Sequence, residues 1–288
     1  MPIYDLHRHL WPEPLIAELR SRTTPPFLRG NTLEVAVEGP YEIDSDAYGL
    51  SACLDDLDRN GIDVAVVSCP PTLGIEQLPP SQARVLLDAY HEGVLEAVEQ
   101  SGGRLKALSL GEPLDGFVGT VLAADDLDDL DRLAPALHEL ERRGTFAFVH
   151  PGVSNPPRRA PVWWVAGVAY TGQMQRAYAR WLAYGVPRWP TLKVVFAILA
   201  GGAPFQLERL AQRGRDVRST LDPNVYLDVA SYGRRSIGLC AQTFGAENLL
   251  YGSDRPVVDP APTLKAVRGF GESMEKLITV DNPTALLR

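Results

Sequence analysis

Two of the five histidines, His7 and His9, are separated by a single residue close to the N-terminus. Residues 3–9 read as a short apolar strand, and on a strand the side chains at i and i+2 leave on the same side. Both imidazoles can therefore converge on one point, which is the start of a zinc-type site. Taken alone, such a pair is more often two surface histidines. A third histidine, His150, ends the run Thr145-Phe146-Ala147-Phe148-Val149-His150, and Asp254 directly follows Leu249-Leu250-Tyr251-Gly252-Ser253. Three imidazoles and one carboxylate form a suitable shell for Zn²⁺ or a similar divalent ion, with a further position open to water or substrate. A buried carboxylate without a cation is costly, so Asp254 requires a metal or an arginine partner. His91 and His138 lie within helical patterns and read as structural. The acidic run 125–131 reads as a solvated helix start, since it lacks the glycine and terminal glutamate of a calcium loop.

These residues need a scaffold that gathers distant strand ends. Apolar runs predict buried parallel strands at residues 3–7, 63–69, 105–110, 118–123, 146–150, 192–199, 225–230 and 249–252. Helical patterns lie between most of them, at 51–60, 81–101, 126–143, 170–184, 203–213, 233–244 and 262–276. The clearest is 126–143, with Leu127, Leu130, Ala134, Leu137 and Leu140 on one stripe, an acidic start and an Arg142-Arg143 end. Pro135 predicts a kink or break within it, and Gly144 stops it. Residues 111–117 are too few for a full helix, so one crossover is reduced. Eight strands in this alternation predict an α/β fold, a (β/α)8 TIM-type barrel, with a doubly wound sheet as the runner-up. Two insertions interrupt it. Residues 20–48 carry a small hairpin around a Gly39-Pro40 turn, and residues 151–190 form a longer insertion between the fifth and sixth strands. No repeat or low-complexity linker divides the chain, which reads as one domain over 1–288.

Composition narrows the function classes. A formal charge of −8 argues against nucleic acid, which would want a basic stripe. Cys53, Cys69 and Cys240 are far apart and odd in number, so they read as buried thiols. No secretory signal and no membrane-spanning apolar run is visible, and a cytoplasmic location follows by default. Lysine is scarce, at positions 106, 193, 265 and 276 alone.

The chain resembles the amidohydrolase superfamily, in the branch that holds metal-dependent hydrolases and the carboxymuconate-semialdehyde and resorcylate decarboxylases. His7-Arg8-His9, Val149-His150-Pro151-Gly152, Ala200-Gly201-Gly202 with Pro204, and Tyr251-Gly252-Ser253-Asp254-Arg255-Pro256 carry the resemblance. Tyr226-Leu227-Asp228-Val229-Ala230 and the closing 282–287 match its pattern as well. The resemblance implies a metal-centred barrel with His7, His9, His150 and Asp254 as ligands, and with Asp254 and His150 as catalytic residues. Zinc is the first choice of ion, with manganese, iron and cobalt as alternatives. Members of the family usually carry a histidine near the end of strand six. Here Ile198 stands at that position, and an isoleucine cannot titrate. Two-metal members bridge their ions with a carboxylated lysine at the end of strand four. Val121-Leu122-Ala123-Ala124-Asp125 offers none, so one ion is expected.

All five tryptophans fall in segments expected on the catalytic face. Trp181, Tyr178 and Met174 read as the buried stripe of a helix. Trp163 and Trp164 read as pocket or interface wall, with Trp11 and Tyr170 beside the site. The charged candidates for substrate binding are Arg8, whose side chain should point away from the histidines, Arg158, Arg159 and Arg255, the last of which could reach a substrate carboxylate or form an ion pair under the barrel lip. Ser231 is a candidate hydrogen-bond donor. Together these residues predict a small aromatic or cyclic substrate. Relatives are often homodimers, and the insertions offer surface for such an interface. The leading expectation is a mononuclear metal-dependent hydrolase of a C–O or C–N bond, with Asp254 as ligand and base. A non-oxidative decarboxylase of an aromatic or dienoic acid follows closely. A barrel without catalysis, argued from Ile198 alone, comes third.

Overall fold

In a computed structural model, which describes residues 1–161, 163–214 and 222–288, all eight predicted strands form and join one sheet. They are β1 (Tyr4–His9), β5 (Val64–Ser68), β6 (Leu105–Leu110), β7 (Gly119–Ala123), β8 (Phe146–His150), β9 (Lys193–Phe196), β10 (Val225–Asp228) and β11 (Leu249–Leu250). Neighbours pair in parallel in chain order. Every residue of β8 is buried, as a strand covered on both faces requires. The sheet closes on itself: the Leu6 N–H donates to the Tyr251 carbonyl at 2.8 Å, the His9 N–H donates to the Arg255 carbonyl at 2.7 Å, and Arg8 pairs with Arg255 as a parallel bridge. This is the TIM-type barrel, and its closure seam runs through the segment that carries Asp254.

Helices α1 (Glu13–Ser21), α2 (Leu50–Asn60), α3 (Pro80–Gln100), α4 (Leu130–Arg143) and α5 (Tyr170–Arg180) surround the sheet, with further helices after β9, β10 and β11. No helix joins β6 to β7, in keeping with the short segment there. The predicted helix 126–143 begins later than its hydrophobic stripe indicates. Asp129 leaves the helical region and its carboxylate accepts the Arg132 N–H at 3.0 Å, so α4 starts at Leu130 behind a separate 3₁₀ turn, Ala124–Asp128. Pro135 breaks nothing, because the carbonyl its missing N–H leaves free belongs to the solvent-exposed Asp131.

The insertion at 20–48 is larger than a hairpin. It forms a three-stranded antiparallel sheet of β2 (Phe27–Arg29), β3 (Thr32–Val35) and β4 (Gly39–Glu42). Gly39 and Pro40 open β4 instead of making the turn, which falls at residues 36–38. A proline is tolerated there because β4 is an edge strand and need not donate from every residue. All three cysteines are free and buried, and among the described residues no helix is long and apolar enough to cross a membrane.

Candidate metal centre

β1 delivers His7 and His9, β8 delivers His150, and the turn after β11 delivers Asp254. The His7 ring centroid lies 5.1 Å from those of both His9 and His150, and the last two are 5.2 Å apart. Asp254 Oδ1 lies 3.2 Å from His9 Nε2 and 3.6 Å from His7 Nε2. One ligand atom from each of the four residues lies within 4.8 Å of every other. The three histidines are buried and Asp254 is 14% exposed, so the cluster opens to the barrel mouth on its carboxylate side.

The far nitrogen of each ring is occupied. His7 Nδ1 meets Asp228 Oδ2 at 2.6 Å, and His150 Nδ1 donates to the Pro151 carbonyl at 2.9 Å. The Ser68 hydroxyl donates to the Arg8 carbonyl at 3.4 Å, which leaves a lone pair for His9 Nδ1 at 3.2 Å. With a proton on each Nδ1, the three Nε2 lone pairs are free to converge. Buried polar atoms in proteins are paired, yet His7 Nε2 is buried without a hydrogen-bond partner. A cation satisfies that lone pair together with its neighbours, so the donor set fits a divalent ion bound by nitrogen and oxygen.

The electrostatics agree. Burial pulls the His7 imidazole down, but Asp228 and Asp254 outweigh it and hold it at about 9. Burial lowers His9, against the hydrogen bond to Asp254. His150 falls well below its ordinary value through burial and the neighbouring His7 and His9. Burial would raise Asp254, yet the three histidines depress it. The cluster is thus poised as a carboxylate facing two neutral imidazoles and one that takes up positive charge. A metal ion supplies that charge directly.

Two buried acids that no spacing in the sequence ties to the histidines complete the site. Asp228, fully buried at the end of β10, orients His7 and also accepts the Ala230 N–H. A lone aspartate inside Val225-Tyr226-Leu227-Asp228-Val229-Ala230 is the signal that marks it. Asp5, also fully buried, accepts the Ser253 N–H at 2.9 Å through Oδ1 and so anchors the turn that carries Asp254. Gly252 is needed for close approach: a Cβ there would lie 2.6 Å from His7 Cβ and 2.8 Å from Asp228 Oδ1.

The other candidate residues separate by position. Arg8 is 4% exposed and its Nη2 lies 2.7 Å from Asp56 Oδ2, behind the histidines. Arg255 reaches the same carboxylate at 3.3 Å, while its Nε is buried without an acceptor. Trp11 is buried and stacks on Tyr48 at 4.0 Å. Burial raises the Tyr48 phenol to about 12, with the Asp254 charge adding to it. Tyr170 donates to Glu38 Oε2 at 2.8 Å, joining the two insertions, and it too is raised by burial, by Glu38 and by Asp254. Ser231 is exposed, with a left-handed backbone at φ 65°. Trp163 is 63% exposed, with its ring 5.9 Å from that of Trp164. The expectation that all five tryptophans share the catalytic face is corrected. Trp181 and Trp189 stack 6.0 Å apart, and Trp189 Nε1 donates to His138 on α4, so this pair belongs to the helix layer. Trp181, Tyr178 and Met174 are buried together as the helix stripe. His91 is also structural, its Nε2 accepting the Leu110 N–H at 3.0 Å. Ile198 begins directly after Ala197 in a left-handed turn and packs against the core.

The amidohydrolase family profile matches residues 4–288. Over 293 aligned residues the chain is 22% identical to 2-amino-3-carboxymuconate-6-semialdehyde decarboxylase from Dictyostelium discoideum, covering 88% of this chain and 81% of that protein. The apo form of IDCase from Metarhizium anisopliae superposes with a TM-score of 0.83 at 22% identity, covering 100% of this chain and 97% of the other. A dihydroxybenzoic acid decarboxylase from a Polaromonas species, solved with manganese and the inhibitor 2-nitroresorcinol, gives 0.74 at 16% identity, covering 99% and 96%.

Proposed function

We propose, from the premise that this chain belongs to the amidohydrolase family, that it is a mononuclear metal-dependent decarboxylase of a small aromatic acid. The convergence of His7, His9, His150 and Asp254 on one point carries the reading. The named relatives add the reaction class, since the Dictyostelium and Polaromonas proteins are both decarboxylases. His7, His9, His150 and Asp254 would hold one divalent ion, zinc or manganese. When bound, the ion supplies a Lewis acid that draws electron density from a coordinated substrate oxygen.

The chain's own residues do the remaining work. Asp228, Ser68 and the Pro151 carbonyl fix the three rings, so ligand geometry needs no reorganisation when substrate arrives. Trp11, two residues beyond His9, stacks on Tyr48 and buries the end of the segment that leaves β1. Arg255 is engaged with Asp56 beside Arg8, in the ion pair under the barrel lip. In the reaction the ring–carboxylate bond breaks, carbon dioxide leaves, and the ring carbon takes a proton. Asp254, the partly exposed member of the cluster, exchanges that proton.

One observation favours a second reading, hydrolysis of a cyclic ester or amide. Ile198 provides no titratable group at the end of β9, and ring protonation is the step that most needs one. The two readings separate by experiment. Protein stripped with chelator and reloaded with Zn²⁺ or Mn²⁺ is offered carboxyl-¹³C hydroxybenzoic acids, and in parallel a panel of esters, lactones and amides. Release of ¹³CO₂ with no solvent ¹⁸O in the organic product is expected. Hydrolytic turnover with no carbon dioxide would overturn decarboxylation in favour of hydrolysis.

A further inference from the structure

Each ligand-bearing segment at the closure seam has an arginine next to its ligands, and both arginines end on one carboxylate. Arg8 lies between His7 and His9. Since those two face the barrel interior, alternation sends Arg8 outward to the helix layer. There its Nη2 lies 2.7 Å from Asp56 Oδ2 on α2. Arg255 follows Asp254, and its Nη2 lies 3.3 Å from the other oxygen, Asp56 Oδ1. Asp56 is 5% exposed, and Arg59, one turn along α2, closes the group at 3.2 Å from Oδ1.

The seam gives this arrangement a task. Asp254 has a left-handed backbone, φ 55°, and so stands outside the regular ladder that orients the histidines on β1 and β8. Its direction depends on the residues either side of it. Ser253 is tied to β1 through Asp5 Oδ1 at 2.9 Å, and Arg255 is tied to α2 through Asp56. The Asp254 N–H donates to the His7 carbonyl at 2.8 Å, and the His9 N–H donates to the Arg255 carbonyl at 2.7 Å. A shift of Arg255 would therefore move both the carboxylate ligand and the strand end that carries His9.

We propose that Asp56 is a positioning residue for the metal centre, holding the His7-Arg8-His9 strand end and the Asp254-Arg255 turn in one register through its two arginine contacts. The inference rests on the metal-centred reading above and extends it to a residue that touches neither ion nor substrate. Asp56→Asn is the direct variant, but it sets the buried Arg8 against a neutral amide, a change large enough by itself to destabilise the barrel. Arg255→Met is the cleaner one, because Arg255 is 28% exposed and its removal leaves the Arg8–Asp56 pair intact. Arg59→Met, which removes a 66% exposed partner of the same carboxylate, is the control.

The full chain is stripped and titrated with Zn²⁺ against a chromophoric chelator. The visible spectrum of the Co²⁺-loaded protein and the thermal midpoint of the metal-free protein are recorded alongside. Arg255→Met is expected to weaken Zn²⁺ binding about 10- to 100-fold, the usual range for groups that orient ligands, and to change the Co²⁺ spectrum. Arg59→Met is expected to leave both as in the parent. Zn²⁺ affinity and Co²⁺ spectrum unchanged in Arg255→Met, with only the thermal midpoint lowered, would make the contact purely structural and overturn the proposal. A parent protein that binds neither ion would instead remove the metal-centred reading, and this inference with it.

Discussion

Two walls of the barrel mouth are built in opposite ways. The first comprises β1, the turn after β11 and, across the barrel, β8: each histidine is held by its strand and by a contact to its far nitrogen, and the Asp254 turn is pinned through Ser253 to Asp5. On the wall formed by β9, five successive residues, Ile198, Leu199, Ala200, Gly201 and Gly202, have positive φ between 47° and 81°. A β-branched residue in that region is an outlier, and each such non-glycine costs on the order of 1–3 kcal/mol. The turn persists because Leu199 and Ala200 are buried and Gln175 donates to the Gly201 carbonyl at 2.6 Å. The contrast separates a region built to aim side chains from one built to hold its own backbone. The proposed metal-binding wall is over-determined, whereas the β9 wall spends its contacts on holding a strained backbone that begins at Ile198.

The largest effect should come from the first wall. Asp254→Asn keeps the shape but removes the charge and the proton acceptor, and kcat should fall about 10²- to 10⁴-fold. Steady-state rates at saturating metal check this, and a near-parental rate would mean that the carboxylate is no part of the chemistry. Asp228→Asn should be milder, weakening metal binding about 10- to 100-fold by releasing the His7 ring, with turnover recovered at high metal. Chelator competition measures it.

Gly201→Ala tests the second wall. A Cβ there would collide with the Thr171 carbonyl oxygen, so the fold should lose about 1–3 kcal/mol by overpacking while metal affinity stays as in the parent. Denaturant titration and metal titration of the same variant decide the point. A loss of metal affinity would show that the β9 turn belongs to the metal-binding wall and would dissolve the contrast. The smallest effect lies far from both walls. Burial holds His91 down to about 4, against a weaker opposing pull from Asp88, while it accepts the Leu110 N–H. Between that value and the ordinary 6.5 the unfolded chain binds a proton that the folded chain does not, so stability falls as pH drops through this window. His91→Asn should flatten that part of the thermal midpoint against pH curve, and parallel curves would refute the assignment.

How much was legible follows the same division. His7 and His9 could be read because a strand alternates with period two, so a spacing of two residues is already a geometry. His150 and Asp254 could be read because each closes a long apolar run, and barrels gather their strand ends at one face. Asp228 could not be paired with His7 from spacing, as 221 residues separate them. The clamp of Arg8 and Arg255 on Asp56 was equally hidden, joining residues 48 and 199 positions apart. The left-handed turn escaped because its first three residues, Ile198, Leu199 and Ala200, are types that avoid positive φ. The split of the helix predicted over 126–143 escaped because an aspartate suits both a first helical turn and an N-cap.

Local pattern alone therefore determined the strands, most of the helices and the strand-end positions of the four side chains, because hydrophobic period is written residue by residue; the family resemblance chose the barrel over a doubly wound sheet. Only the tertiary structure decided which imidazole nitrogen faces inward, which acids orient the rings and which arginines are locked behind them. Those choices depend on atoms brought together by barrel closure, and no short stretch of chain contains both partners.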